Sequence, residues 1–210
     1  MMTLGKSIRG ALVASSLYAF SAVSGAIVFS SLAWAAPSKA PEFSVDTLSG
    51  KHISSAELRG KVVVLEWFNS GCPFVKHFYD SSEMQQLQKS YTAKGVEWIT
   101  VNSTGPHHRD YHDPAATKTL MGEMGIAATD YVIDADGTLG RLFQAKSTPT
   151  VVVLDREGNI AYRGAVDNNP DADESTPLKR YLQPALDEVL SGKPVSMPET
   201  DAYGCSIKYE

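Results

Sequence analysis

Cysteine is scarce in this sequence, which has two cysteines among 210 residues, Cys72 and Cys205. Two cysteines allow one intrachain disulfide at most, and this excludes a small scaffold held together by many disulfides. Clusters of basic side chains are also missing, and the formal net charge is −5. A chain without a basic patch lacks the electrostatic footprint of proteins that bind nucleic acid or anionic membrane surfaces.

Long apolar stretches are confined to the N-terminal end of the chain. Lys6 and Arg9 carry positive charge, and residues 11–32 are apolar or small. Residues 33–35 (Ala-Trp-Ala) then show the small-x-small pattern of a cleavage site. We therefore predict a secretory signal over residues 1–35, a periplasmic or otherwise exported protein, and no stable membrane insertion after cleavage. The alternative is an uncleaved helix that anchors the protein in a membrane.

The rest of the chain has the length of one domain with a full hydrophobic core, over residues 36–192, followed by a tail over residues 193–210 that carries Cys205. No internal repeat or low-complexity segment is present there. Apolar periodicity and turn residues predict, in order, a β-hairpin over 42–54, a strand at 62–65, a helix over 73–94, a strand at 96–101, a helix over 114–124, a strand at 131–133, a hairpin of 150–154 with 160–162, and a final helix. The helix over 73–94 is expected to kink or restart at 80–82. The final helix is expected to begin at Pro177, after a cap at Thr176, and to bend at Pro184. This order predicts an α/β protein with a central mixed β-sheet flanked by helices and an N-terminal β-hairpin extension.

The most informative stretch is residues 61–79. A short run rich in β-branched residues at 62–65 predicts a strand buried on both faces, and residues 69–71 (Asn-Ser-Gly) turn the chain. Cys72 follows, and Pro73 suits the first position of a helix. A thiol at a helix N-terminus is biased towards the thiolate, which is the nucleophilic form. We predict a reactive Cys72; the alternative is a small buried apolar residue.

Several stretches resemble proteins of the thioredoxin fold, namely the segment around Cys72, the turn at residues 147–150 (Ser-Thr-Pro-Thr), and the final hairpin and helix. More narrowly, the sequence segments at residues 71–76, 162–164 and 204–208 resemble the redoxin or peroxiredoxin-like group, which is related to the alkyl hydroperoxide reductase and thiol-specific antioxidant proteins. The resemblance covers residues 42–192. It implies a thioredoxin-like fold, an enzyme that is a thiol-disulfide oxidoreductase or a thiol peroxidase, and chemistry without a cofactor.

The resemblance also implies roles for individual residues. Cys72 is the nucleophile, Glu66 is the buried acid that accepts and returns its proton, and Pro149 is a cis-proline that faces the thiol. Contacts to substrate are expected from Asn69, Ser70, Gly71, Pro73, Thr148 and Arg163. Arg163 would in addition lower the pKa of the thiol if the hairpin brings it close; the alternative is a surface charge without a role in the site.

Two departures from these families stand out. The second cysteine of the thioredoxin Cys-x-x-Cys motif falls at Val75, so no disulfide forms inside the motif. The proline and threonine of the peroxiredoxin pattern fall at Leu65 and Asn69, which leaves Asn69 or Ser70 to orient a peroxide. Cys205, on a tail expected to be mobile, is the candidate resolving cysteine, within the chain or in a partner subunit. A static disulfide or a free thiol are the alternatives for Cys205.

Two other classes of function stay open. A polar loop combines histidines with carboxylates, which suits copper or zinc, and contains His107, His108, Asp110, His112 and Asp113. The copper-carrier pattern would need a second cysteine at Lys76. The other class is a binding module that kept the fold without turnover. For the enzyme, the expected partners are protein thiols or disulfides, or small peroxides, together with an external thiol reductant.

Overall fold

The computed structural model describes residues 38–170, 175 and 177–210. The predicted signal over residues 1–35 and the predicted cap at Thr176 lie outside these residues and stay predictions. The strands of the described part are β1 (Ser38–Lys39), β2 (Ser44–Asp46), β3 (His52–Ser54), β4 (Val63–Trp67), β5 (Glu97–Asn102), β6 (Asp130–Ile133), β7 (Ser147–Thr148), β8 (Thr150–Leu154), β9 (Asn159–Gly164) and β10 (Cys205–Ser206). Its helices are α1 (Pro73–Asp80), α2 (Glu83–Thr92), α3 (Pro114–Glu123), α4 (Thr138–Leu142) and α5 (Leu182–Leu190). None of these helices has the length and apolar character needed to cross a membrane.

The fold is built on a six-stranded mixed sheet in the order β1-β9-β8-β4-β5-β6. β4 lies in the middle, parallel to β5 and antiparallel to β8. Every residue of β4 is buried because successive side chains point to opposite faces and both faces are covered. Helices α1, α2 and α5 pack on one face. Helix α4 and the β2-β3 hairpin, which the sequence predicts, pack on the other.

The long helix predicted after β4 is two helices. α1 ends at Asp80 and α2 begins at Glu83, because Ser82 between them has a left-handed backbone with φ of 62°. A right-handed helix does not continue through such a residue. The predicted restart at residues 80–82 is therefore confirmed. The short α1 carries Cys72 at its N-terminus and packs on the sheet beside α2.

The final helix starts later than the sequence predicts. α5 begins at Leu182 rather than Pro177, because the preceding segment is tied to another loop: the N–H of Asn168 donates to the carbonyl of Lys179 at 3.1 Å. Pro184 consequently lies in the first turn of α5, where its missing N–H leaves no helical hydrogen bond unmade. The prediction of a bend at Pro184 inside a longer helix is wrong.

The tail, residues 193–210, is docked on the domain, and its expected mobility stays a prediction. Near its start the N–H of Thr200 donates to the carbonyl of Arg163 at 3.0 Å. Near its end the N–H of Ile207 donates to the carbonyl of Lys146 at 3.0 Å. Between these two anchors the short strand β10 pairs antiparallel with β7. The tail thereby crosses the end of the sheet where Cys72 lies.

Candidate redox site at the two cysteines

Cys72 is placed by the turn that joins β4 to α1. The Asn69 carbonyl accepts the N–H of Cys72 at 3.1 Å, while its side-chain oxygen accepts the N–H of Gly71 at 2.7 Å. The Asn69 amide donates to the hydroxyl of Thr104 at 3.0 Å, which fixes the turn to the loop after β5. Cys72 is thereby the N-cap of α1, with Pro73 in the first helical position as predicted. Its side chain is buried, with 2% of its surface exposed.

The turn before β8 faces the Cys72 sulfur. The bond between Thr148 and Pro149 is cis, as the resemblance implies, and the Cys72 thiol donates to the Thr148 carbonyl at 3.2 Å. The Thr148 hydroxyl is buried and has no hydrogen-bond partner within the described residues. It is therefore free to donate to the sulfur when Cys72 ionises.

Cys205 is brought to the same place by the tail. Its strand pairs with β7 so that Cys205 lies opposite Thr148, and both cysteines are free thiols. The two thiols lie close enough that each shifts the pKa of the other, and both line the same groove. The close approach depends on Gly204, which has a φ of +135°: a Cβ there would overlap the Thr148 carbonyl oxygen and lie 2.7 Å from its carbon. Only glycine fits at that position.

The pKa values of the two thiols are shifted in opposite directions. Burial opposes ionisation of Cys72, but hydrogen bonds from the thiol of Cys205, from Thr148 and from the N–H of Val75 outweigh it, so the pKa of Cys72 is lowered. The pKa of Cys205 is raised to about 11 by burial, by its hydrogen bond to Cys72 and by the charge on that sulfur. Of the two thiols, Cys72 is therefore the one that ionises first.

Glu66 is buried on the α1 side of β4, but none of its described hydrogen bonds reaches Cys72. Its carboxylate accepts from the Tyr79 hydroxyl at 2.8 Å, from the Gln88 amide at 2.9 Å and from the Trp98 ring N–H at 2.8 Å. Burial raises the pKa of Glu66 in spite of these three donors. Its role as the acceptor of the thiol proton stays a prediction.

Arg163 lies away from the two sulfurs. It pairs with Val152 across β8 and β9, and directly opposed side chains share a face of the sheet. Val152 belongs to the apolar cluster on the face opposite to the one that holds Cys72. The expectation that Arg163 acts on the thiol is therefore wrong. Its backbone instead holds the tail, through hydrogen bonds with Pro198 and Thr200 at 2.9 and 3.0 Å.

The other predicted substrate contacts divide into two groups. An open groove of about 450 Å³ leads to both sulfurs and is lined by Asn69, Gly71, Cys72, Pro73, His108, Arg109, Asp110, Cys205 and Lys208. Ser70 instead directs its hydroxyl to His112 at 3.1 Å. The sequence analysis did not predict Arg109 and Lys208 as site residues, because one lies in the polar loop and the other in the tail, and only the docked tail brings them together beside Cys72.

The three histidines of the polar loop have separate partners. His107 lies 3.7 Å from the carboxylate of Glu210, and His108 lies 3.7 Å from that of Asp110. Across residues 38–170, 175 and 177–210, no group of three or more histidine, cysteine or acidic side chains converges as metal ligands would.

Known proteins with similar sequences or structures are consistent with this geometry. Residues 37–163 match the model of the AhpC/TSA family. The thioredoxin-like protein YneN from Bacillus subtilis is 30% identical over 122 residues, which are 58% of this chain and 66% of that protein. The thiol-disulfide oxidoreductase ResA from Halalkalibacterium halodurans is 26% identical over 58% of this chain and 64% of its own length. The chain thus spans just under two thirds of these curated relatives.

The solved structures include a thiol:disulfide interchange protein of the thioredoxin family from Chlorobium tepidum TLS. It superposes with a TM-score of 0.52 at 26% identity, over 75% of this chain and 99% of that one. Together with the strand order and the cis-proline, this identifies the fold as thioredoxin-like, as the sequence predicts.

Proposed function

This chain belongs to the AhpC/TSA family, and from that premise we propose that it is a thiol-disulfide oxidoreductase whose two cysteines form one redox pair. Cys72 is the nucleophile and Cys205 of the same chain is the resolving cysteine. The predicted signal over residues 1–35 places the protein in the periplasm or another exported location. Disulfide exchange takes place at sulfur alone, so the cycle needs no cofactor.

The observation that carries the proposal is the contact between the two thiols. A resolving cysteine must reach the nucleophile's sulfur, and here the β7-β10 pairing places Cys205 opposite Thr148, whose carbonyl accepts the Cys72 thiol, so that both cysteines line one groove. The Cys72 thiolate attacks one sulfur of a substrate disulfide, the substrate S–S bond breaks, and the other substrate sulfur leaves as a thiolate. Cys205 then loses its proton to that leaving group and attacks the Cys72 sulfur. This closes the Cys72–Cys205 disulfide and releases the substrate as a dithiol.

The cycle is completed by an external thiol reductant. Formation of the Cys72–Cys205 disulfide transfers two electrons from the protein to one substrate disulfide. An external dithiol reverses the exchange, becomes a disulfide itself and returns both cysteines to thiols. The names of ResA and of the interchange protein from Chlorobium tepidum TLS support thiol-disulfide exchange as the chemistry of the site.

Mass spectrometry of the alkylated protein tests the proposal. After treatment with oxidised glutathione we expect a Cys72–Cys205 disulfide in the native protein and a glutathione adduct on Cys72 in Cys205→Ser. Cys72→Ser is expected to lose turnover by at least about a hundredfold, because the nucleophile is gone. Full turnover in Cys72→Ser would overturn Cys72 as the nucleophile, and a native protein with neither turnover nor any adduct on Cys72 would leave a binding module as the better description.

A second candidate function is thiol peroxidase activity, which the unpaired hydroxyl of Thr148 favours. The Cys72 thiolate would attack a peroxide oxygen, the O–O bond would break, and the alcohol or water would leave. The resulting sulfenic acid would condense with Cys205, lose water and give the same intrachain disulfide. Rates of disulfide formation with hydrogen peroxide and with a peptide disulfide at equal concentration separate the two functions. The substrate that reacts faster identifies the activity.

A further inference from the structure

The tail occupies the edge of β7 at which an extended partner would pair with the chain. β7 offers Thr148 beside the nucleophile, and in the described structure the strand that pairs with it is β10, with Cys205 opposite Thr148. An extended protein substrate that presents a cysteine to Cys72 by β-strand addition would have to replace β10. The tail therefore shows which backbone and side chains fit this position.

The residue before the cysteine is the most constrained part of that strand. Gly204 has a φ of +135°, a conformation that residues with a Cβ rarely adopt. A Cβ built there would overlap the Thr148 carbonyl oxygen, and it would lie 3.3 Å from the Pro149 nitrogen. Both obstacles are backbone atoms, so no side-chain rotation relieves them. Glycine is needed because the backbone of the strand passes directly over the turn.

The residue two before the cysteine meets an aromatic surface. The ring of Tyr203 packs edge-on against that of Phe74, with centroids 5.9 Å apart, and Phe74 is the second residue of α1. Aromatic pairs in this geometry add to the stabilisation from buried area. An aromatic side chain at this position of a partner strand would make the same contact.

We propose that protein substrates bind by replacing β10, and that they carry an aromatic-Gly-Cys sequence whose cysteine reacts with Cys72. This inference rests on the function proposed above and names the class of substrate. The substrate strand pairs with Thr148 in the register of Cys205, its disulfide sulfur accepts the electron pair of the Cys72 thiolate, and its partner sulfur leaves. When the tail returns, Cys205 attacks the Cys72 sulfur, so that one movement both breaks the mixed disulfide and expels the substrate strand.

Replacement of the tail is feasible because β10 is short. It pairs over two residues, and the anchors at Thr200 and Ile207 lie outside it. The substrate can bind only while the tail is detached from β7. The apparent affinity for the substrate is therefore the intrinsic affinity multiplied by the fraction of time for which β7 is free. A variant that weakens docking of the tail is therefore expected to react faster with a peptide and to keep the same preference.

The test uses the purified Cys205→Ser protein, in which a mixed disulfide on Cys72 is not resolved and accumulates. Symmetric disulfides of acetylated peptides with the sequence Tyr-Gly-Cys-Ser or Tyr-Ala-Cys-Ser are the probes, and intact-mass measurement gives the rate of adduct formation. We expect the glycine peptide to react about fivefold to thirtyfold faster, since a steric cost of 1–2 kcal/mol corresponds to such a ratio. Oxidised glutathione serves as the control for the reactivity of Cys72.

A second variant distinguishes the sequence preference of β7 from the blocking of β7 by the tail. In the double variant Cys205→Ser with Gly204→Ala, the tail no longer fits against Thr148, and both peptides are expected to react faster while the glycine preference persists. Equal rates for the two peptides, or reaction with glutathione alone, would overturn this inference and leave the redox pair intact. Absence of any adduct on Cys72, with glutathione included, would overturn the proposed function itself.

Discussion

The two cysteines line the same groove, yet they belong to parts of the fold that are built differently. Cys72 follows β4 and a turn that is fixed by local hydrogen bonds. Its side chain is buried and its pKa is lowered. Cys205 sits in a two-residue strand that is held in place by distant anchors, it is partly exposed, and its pKa is about 11. The proximity of the two thiols contributes to both pKa shifts, in opposite directions. The comparison teaches that the acidity of the nucleophile depends on the docked tail as well as on the helix N-terminus.

The largest expected effect comes from removing the Cys205 donor. Cys205→Ala should raise the pKa of Cys72, because burial is then opposed by fewer hydrogen bonds, and turnover should fall by at least about a hundredfold for lack of a resolving thiol. The rate of Cys72 alkylation against pH reports the pKa. Cys205→Ser is the matched control, since its hydroxyl can still donate: it should restore part of the acidity and none of the turnover. Identical pH profiles for the native protein and Cys205→Ala would show that the tail does not set the pKa.

The next effect comes from moving the tail without touching either sulfur. Gly204→Ala places a Cβ against the Thr148 carbonyl and should slow closure of the Cys72–Cys205 disulfide by about tenfold or more. Gly192→Ala is the control, because Gly192 also has a positive φ, of 68°, but has open space around it. It should cost about 1 kcal/mol of stability and leave closure unchanged. Closure is timed by acid quenching and alkylation, and equal slowing in both variants would refute a specific role for Gly204.

A smaller effect is expected at the Thr148 hydroxyl. Thr148→Val keeps the shape and the carbonyl but removes a donor to the Cys72 thiolate, so the pKa of Cys72 should rise. A hydrogen bond of this kind contributes about 0.5–1.5 kcal/mol, and the alkylation rate at neutral pH should fall by about tenfold at most. Thr150→Val removes a hydroxyl that is bonded to the Ser147 carbonyl at 2.7 Å and should leave the profile unchanged. A larger change in Thr150→Val than in Thr148→Val would contradict this assignment.

The smallest effect on Cys72 is expected from Glu66→Gln, since the hydrogen bonds of Glu66 go to other residues. Its effect should appear in stability instead. Because burial raises the folded pKa of Glu66 above 4.5, its protonated form favours the folded state, and the native protein loses stability as pH rises from 4.5 through the folded pKa. Urea unfolding of both proteins between pH 4 and 8 should show a flatter profile for Glu66→Gln. A shifted pH profile of Cys72 alkylation would instead support Glu66 as the proton acceptor.

Local patterns were sufficient wherever neighbours in sequence are also neighbours in space. The buried strand before the turn, Pro73 opening α1 and the restart near Ser82 all follow from residues a few positions apart. The late start of α5 could not be found in this way, because Pro177 and the helical periodicity after it both favour an earlier start. A hydrogen bond from Asn168, distant in sequence, holds that segment outside the helix.

The sequence by itself determined the thioredoxin-like fold, the place of Cys72 at a helix N-terminus and the cis bond before Pro149, because each depends on short-range patterning or on a motif. Only the tertiary structure decided which residues meet the sulfur. Arg163 lies on the other face of the sheet. Cys205 reaches Cys72 because hydrogen bonds on either side of β10 hold the tail against β7. Such contacts join residues far apart in the chain, and their geometry depends on how the sheet and the tail pack together.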